Sequence, residues 1–278
     1  MTGPDLLPDL LAPIRTIDPA TSELYLSRLE LNRRNRLVHQ EIADSQAFHR
    51  RLLDAFPRVS DEASHAARSA HGILYRLESI SGDAGAVVAL VQSVSIPDWS
   101  VLPPDYLHQH EGDAWDAWDM RDARGREPVP VKPTGERYRA IGGGDVLRFR
   151  LRSNPTKKIH TTAENHTPGK KPTGPNGTRK PLRQEELPEW IARKGIQHGF
   201  SVLEIRDQPD PVSGKEQIGR KPSESPGHRQ MTHAAVLFEG VLEVTDAGLF
   251  RVALWQGIGP AKAYGFGLLS IAPIAPRR

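Results

Sequence analysis

The sequence predicts an α+β protein built from two tandem ferredoxin-like (βαββαβ) domains. Two observations lead there. The order strand, helix, strand, strand is read twice along the chain, and the glycine triplet Gly142-Gly143-Gly144 stands between the two series as a hinge. At 278 residues the chain is long enough for two such units. The expected division is a flexible extension over 1–22, a first domain over 23–141 and a second over 145–278.

Residues 1–22 alternate prolines with short leucine pairs and keep no period, which suits an extension outside the fold. Leu24 to Leu31 reads as a strand. Asp44 or Ser45 can cap a helix whose apolar stripe is Phe48, Leu52 and Phe56, at i, i+4 and i+8. Gly72 to Leu77 and Val87 to Val94 are apolar runs separated by Ser81-Gly82-Asp83, a hairpin signature. Asp98 to Glu127 holds eight acids against three arginines and three tryptophans, and a helix within it would complete the first half. After the hinge, Leu147, Phe149 and Leu151 alternate with Arg148, Arg150 and Arg152 at strand period, giving one apolar and one cationic face. No large apolar residue lies between Ile159 and Leu182, so a mobile basic loop is expected there. A helix over about 187–199, strands over 200–205 and 234–244 joined through a long hairpin, a helix over 249–255 and a last strand over 268–271 complete the second unit.

Composition narrows the function. The 37 basic and 34 acidic residues give a net charge of +3, and mean hydropathy is −0.50. With no cysteine the chain has no disulfide, thiolate nucleophile or iron–sulfur cluster. No apolar run reaches the roughly 18 residues of a membrane span, and the first residues lack the cationic and apolar regions of a signal peptide, so a soluble, cytoplasmic protein is expected. Charge is concentrated locally: residues 148–194 hold twelve Lys or Arg and four Asp or Glu. Arg148, Arg150, Arg152, Lys157 and Lys158 suit a phosphate backbone, with a solvated surface as the other reading.

Several motifs exclude chemistry. Gly214 to Lys221 lacks the lysine and hydroxyl of a P-loop, and no G-x-S-x-G elbow occurs. His108 and His110, with Asp113, Asp116 and Asp119, match no standard metal spacing, so no metal is expected. The glycine-rich segment Gly257 to Gly267 carries Lys262 and can either bring backbone amides and one ammonium to a phosphate or simply make a tight connection. His49 falls one position past Phe48, at the edge of the predicted apolar stripe and beside Arg50 and Arg51. It can be a packing residue, or an imidazole that exchanges protons near neutral pH while the cations hold a phosphate.

Taken in order, these segments resemble the CasE family, the repeat-processing endoribonuclease subunit of type I-E CRISPR Cascade. The likeness runs from about Leu24 to Pro273 and is carried by Leu24-Tyr25-Leu26-Ser27-Arg28-Leu29, Phe48-His49-Arg50, Leu90-Val91-Gln92-Ser93 and Pro97-Asp98-Trp99-Ser100-Val101-Leu102. Leu147 to Pro155, Val236-Leu237-Phe238-Glu239-Gly240 and the terminal glycine loop with Lys262 complete it. The resemblance implies two ferredoxin-like domains and cofactor-free, metal-independent cleavage of CRISPR precursor RNA at the repeat hairpin. The ribose 2′-OH would attack the phosphate, leaving a 2′,3′-cyclic phosphate and a 5′-OH. His49 matches the family's catalytic histidine. Gln46 stands where the family often has an assisting tyrosine. His39, His228 and His233 are the histidines that could substitute for it. His228, Arg229 and Gln230 match a hairpin that enters the repeat stem, and Arg50 and Lys262 are further expected RNA contacts. The implied partners are the repeat hairpin RNA, its crRNA product and the other Cascade subunits, with a monomer expected when the protein is alone. A non-catalytic RNA-binding subunit of the same fold is the alternative.

Overall fold

The computed structural model describes residues 17–59, 67–79, 87–108, 131–158, 179–209, 216–221 and 229–274, with side chains described outside 208–232. The first half runs β1 (Tyr25–Leu31), α1 (Arg36–Ala43), α2 (Ser45–Leu53), α3 (Ala67–Ala70), β2 (Leu74–Ser79), β3 (Val87–Ser93), β4 (Val131–Pro133) and α4 (Gly135–Arg139). The second runs β5 (Val146–Ser153), β6 (Thr156–Lys158), β7 (Arg179–Pro181), α5 (Leu187–Gln197), β8 (Phe200–Pro209), β9 (Glu216–Lys221), β10 (Arg229–Ala234), β11 (Val236–Val244), α6 (Ala247–Gln256) and β12 (Leu269–Pro273). The two four-stranded sheets have orders β2-β3-β1-β4 and β12-β5-β11-β8, with every neighbouring pair antiparallel. Both are the strand order of the ferredoxin-like unit. The β9–β10 hairpin extends the β8–β11 connection, and β6 and β7 form a separate two-stranded ribbon.

Local chemistry explains the elements nearest the site. Asp44 is the single residue between α1 and α2; its carboxylate accepts from Gln46 N at 3.0 Å and Ala47 N at 3.3 Å, capping α2. Phe48 and Leu52 then face the first core with Leu29, Leu31, Tyr75 and Val91. The second core packs Trp190, Phe200, Phe238, Phe250 and Trp255 between α5, α6 and the second sheet. Gly240 lies where a Cβ would overlap Glu204 O, so the β8–β11 pairing requires glycine there.

Two features depart from the sequence reading. Residues 36–43, to which the sequence reading assigned no element, form α1; its core-facing Glu41 is a buried carboxylate that hides the apolar period. Arg51 grips Glu41 at 2.8 Å and the Tyr106 hydroxyl donates to it at 2.5 Å. The fourth strand of the first sheet is the three-residue β4, too short to carry a period. The expected helix within 98–127 falls mostly on residues 109–130, outside the described residues, as does the basic loop over 159–178.

The two sheets are joined by buried polar contacts. Arg76 of β2 is 2% exposed; it donates to Leu268 O at 3.2 Å, Ser270 Oγ at 3.0 Å and Arg150 O at 3.3 Å, while pairing with Glu78. Gln92 of β3 donates to Leu254 O at 2.7 Å. Leu24, just before β1, is buried in the second core rather than the first. Removing one partner of a buried charged pair costs about 3–5 kcal/mol. Arg76→Ala is therefore expected to lower unfolding stability by about 3 kcal/mol, read by urea denaturation. A loss below about 1 kcal/mol would show that Arg76 does not hold the halves together.

Candidate active site

His49 occupies the second turn of α2, where Phe48 points into the core and its neighbour stands at the core's edge. The imidazole lies nearly parallel to the Tyr75 ring, with centroids 6.4 Å apart and an interplanar angle of 13°. Its Nδ1 is buried and has no hydrogen-bond partner among the described residues. Burial pushes the His49 pKa down to about 4, and the Arg68 and Arg50 guanidinium charges add to the shift. Burial and these two charges both keep the ring neutral at pH 7, and a neutral ring that accepts at Nε2 carries its N–H at Nδ1.

Tyr75 connects this helix to the second half. It is 1% exposed, and its hydroxyl lies 3.3 Å from both Ser45 O and Ala263 O. Burial holds its phenol protonated well above the ordinary range. Ala263 belongs to a short 3-10 turn, Lys262–Tyr264, inside the glycine-rich segment, and α2 packs against this turn. Gly265, at φ +79°, follows it; a Cβ there would stand 2.8 Å from Tyr75 Cε2 and 3.0 Å from Arg152 Nη1. The glycine loop is thus a close-packed joint between the halves as well as the carrier of Lys262.

Lys262 is half-buried, and its pKa is drawn down by burial and by the charges of Arg68 and Lys194. Arg68 on α3 was not singled out by the sequence reading. Its Nη1 donates to Ile73 O at 3.2 Å and its Nη2 to Ser69 Oγ at 2.9 Å. Among the described residues no carboxylate pairs with either cation. His198, just past α5, is lowered by burial and by the charges of Lys194 and Lys262, which places α5's end on the same electropositive side.

The fold sets α2, which carries Gln46 and His49, against the turn that carries Lys262; Gln46 lies one turn before His49, half-buried, and Arg50 is exposed beside it. Arg51 turns away to clamp Glu41. The arginine row of β5 is elsewhere. Its cationic face looks across a cleft of about 790 Å³ between the two sheets, lined also by Arg76, Glu78, Glu204 and Glu239. Arg148 is exposed there, and Arg150 pairs with Glu239 at 2.6 Å and Glu78 at 3.3 Å.

Arg152 requires a correction, for its exposure is 0%. Its guanidinium donates to Gly265 O at 2.9 Å and Tyr264 O at 3.4 Å and stacks 4.3 Å from the Phe266 ring centre. A side chain so enclosed supports the glycine loop and cannot lie on an RNA backbone. Lys157 and Lys158 are exposed on β6, Lys157 pairing with Glu186. His228 lies outside the described residues. Arg229 and Gln230 begin β10, opposite Lys221 and Arg220, and β9 of that hairpin packs against α2. Of the other histidines, His39 is exposed on α1, whereas His233 is buried between Asn154, Tyr264 and Phe266.

A family model described as "CRISPR associated protein" matches residues 24–273. The chain is 32% identical over 254 residues to the CRISPR-associated endoribonuclease Cse3 of Thermus thermophilus, covering 90% of this chain and all of that one. It is 35% identical over 134 residues to the Cascade subunit CasE of Escherichia coli strain K12, covering 47% of this chain and 60% of that one. Among solved structures, Cse3 bound to 19 nt RNA superposes with a TM-score of 0.64 at 28% identity, covering 90% of this chain and all of that one. Tandem ferredoxin-like architecture, the match along nearly the whole described chain and the full-length similarity to Cse3 place the chain in the CasE/Cse3 family of CRISPR-associated proteins.

Proposed function

We propose that the protein is a metal-independent endoribonuclease that cuts CRISPR precursor RNA at its repeat hairpin and stays on the product as a subunit of a type I-E Cascade. The observation that carries this reading is a neutral, half-buried imidazole beside two half-buried cations, at the seam between the halves. Its similarity to Cse3, an endoribonuclease whose structure has been solved with bound RNA, and to CasE, a Cascade subunit, supports the substrate and the assembly.

The nucleophile belongs to the RNA. His49 Nε2 takes the proton of the ribose 2′-OH as the O2′–P bond forms, and the P–O5′ bond breaks with a solvent proton going to O5′. The products are a 2′,3′-cyclic phosphate and a 5′-OH. The lowered pKa suits a base, because the acceptor form is already present at neutral pH. Lys262 meets the negative charge that develops at phosphorus. Gln46 has no titrating proton, so its part is limited to hydrogen bonding. Arg50, the exposed Lys157 and Lys158, and the β9–β10 hairpin around His228, Arg229 and Gln230 hold the stem. The A-form major groove is narrow, so the hairpin enters at the stem end.

With labelled repeat hairpin in EDTA, wild type is expected to cleave, and His49→Ala to be about 10²–10⁴-fold slower while shifting the RNA at similar concentrations. Binding without cleavage by either, with or without divalent metal, would instead establish the non-catalytic subunit that a glutamine at position 46 also permits. A 2′-deoxy substitution at the scissile nucleotide should abolish the products entirely.

The imidazole itself gives a second check. In the free protein the His49 ring should titrate with a midpoint near pH 4 by NMR. Binding of the 2′-deoxy hairpin should raise that midpoint, because phosphate stabilises imidazolium. Cleavage should fall about tenfold per unit as pH drops below the value in the complex, since protonation removes the base. A midpoint at or above 6.5 in the free protein would contradict the buried, neutral ring.

A further inference from the structure

Arg68 is a half-buried guanidinium whose described partners, Ile73 O and Ser69 Oγ, are both neutral. Gly72 at φ +59° turns the chain so that Ile73 N donates back to Arg68 O at 2.9 Å while the guanidinium reaches Ile73 O. These bonds fix the side chain ahead of β2, in the segment that leads into Tyr75, the ring that lies parallel to His49. On the other side, the Tyr75 hydroxyl reaches Ala263 O, next to Lys262.

Two like charges are therefore held beside a neutral imidazole with no carboxylate partner among the described residues. Such an arrangement is costly in the empty protein and favourable once an anion lies between the charges. Arg68 is the one charge whose effect reaches both Lys262 and His49. A guanidinium has more N–H donors than the bonds to Ile73 and Ser69 use, and its planar fork matches phosphate oxygens.

We propose that Arg68 is a further catalytic residue: it holds a non-bridging oxygen of the scissile phosphate opposite Lys262 and stabilises the charge that builds there as 2′-OH attacks. The proposal rests on the nuclease reading. Arg68 transfers no proton; the 2′-OH proton goes to His49, the O2′–P bond forms and the P–O5′ bond breaks as before.

The test is single-turnover cleavage of repeat hairpin RNA with excess enzyme, for wild type, Arg68→Ala and Arg68→Gln, beside the Kd for the non-cleavable 2′-deoxy hairpin. Both variants are expected to cut about 10²–10³-fold more slowly, with Kd changed less than about tenfold. Millimolar guanidinium ion should restore part of the Arg68→Ala rate, which a packing role would not allow. A wild-type rate in either folded variant overturns the proposal while leaving the nuclease reading intact. No cleavage by wild type overturns the nuclease reading, and this inference with it. If Arg68→Ala fails to fold, Arg68→Gln decides: slow cleavage at unchanged Kd supports the proposal, and wild-type cleavage ends it.

Discussion

The contact of β2 with the glycine loop is the constraint on which the rest of the molecule depends. Tyr75 and Arg76 are consecutive residues whose side chains point to opposite faces of their strand. Tyr75 reaches Ser45 O and Ala263 O, and Arg76 reaches Leu268 O and Ser270 Oγ. One short strand thereby fixes α2, the Lys262 turn and β12 relative to one another. The approach is close enough that Gly257 and Gly265, both with positive φ, have Leu74 and Tyr75 within 2.8 Å of where a Cβ would stand. Larger residues would separate the halves and with them His49 from Lys262.

Electrostatics is arranged around the same joint. On β5, arginines that look in sequence like one exposed cationic face are distributed by depth: Arg152 is enclosed under the glycine loop, Arg150 is matched by two glutamates, and Arg148 remains exposed. The cleft they border carries both signs of charge, which is a poor polyanion track compared with the side of the molecule bearing Arg68, Lys262, Lys194 and His198. Among the described residues, positive charge without a carboxylate partner is kept near the neutral imidazole, and partial burial weakens its screening by solvent.

The neutrality of His49 follows from placement rather than from a special partner. Its ring is desolvated against Tyr75, and the guanidinium charges of Arg68 and Arg50 oppose a further proton. The same surroundings that desolvate the imidazole hold the Arg68 and Lys262 charges. The burial that encloses the Tyr75 hydroxyl also keeps that phenol from acting as an acid or base at working pH, so it positions rather than transfers.

Much of the architecture was legible in the chain. Strand runs around Leu29 and Leu242, the alternation around Phe149, the Asp44 cap before Phe48 and the repeated order of elements are local properties, and they determined the two ferredoxin-like units and the place of His49 at a core's edge. α1 was not legible, because Glu41 occupies a position that periodicity assigns to an apolar residue, and its carboxylate is satisfied by Arg51 and by a Tyr106 far along the chain. Nor could alternation show that Arg152 is enclosed while Arg148 is exposed, since both share one face of one strand and differ only in what lies over them, the glycine loop covering Arg152 alone. Arg68 had no signal at all in a short polar stretch. Its meaning arises when a turn at Gly72 and a loop near the C-terminus bring it to His49 and Lys262. Local sequence determined the elements and the place of His49, whereas tertiary packing decided which cations are enclosed or paired and which have no carboxylate among the described residues, because burial and pairing are set by residues distant in the chain.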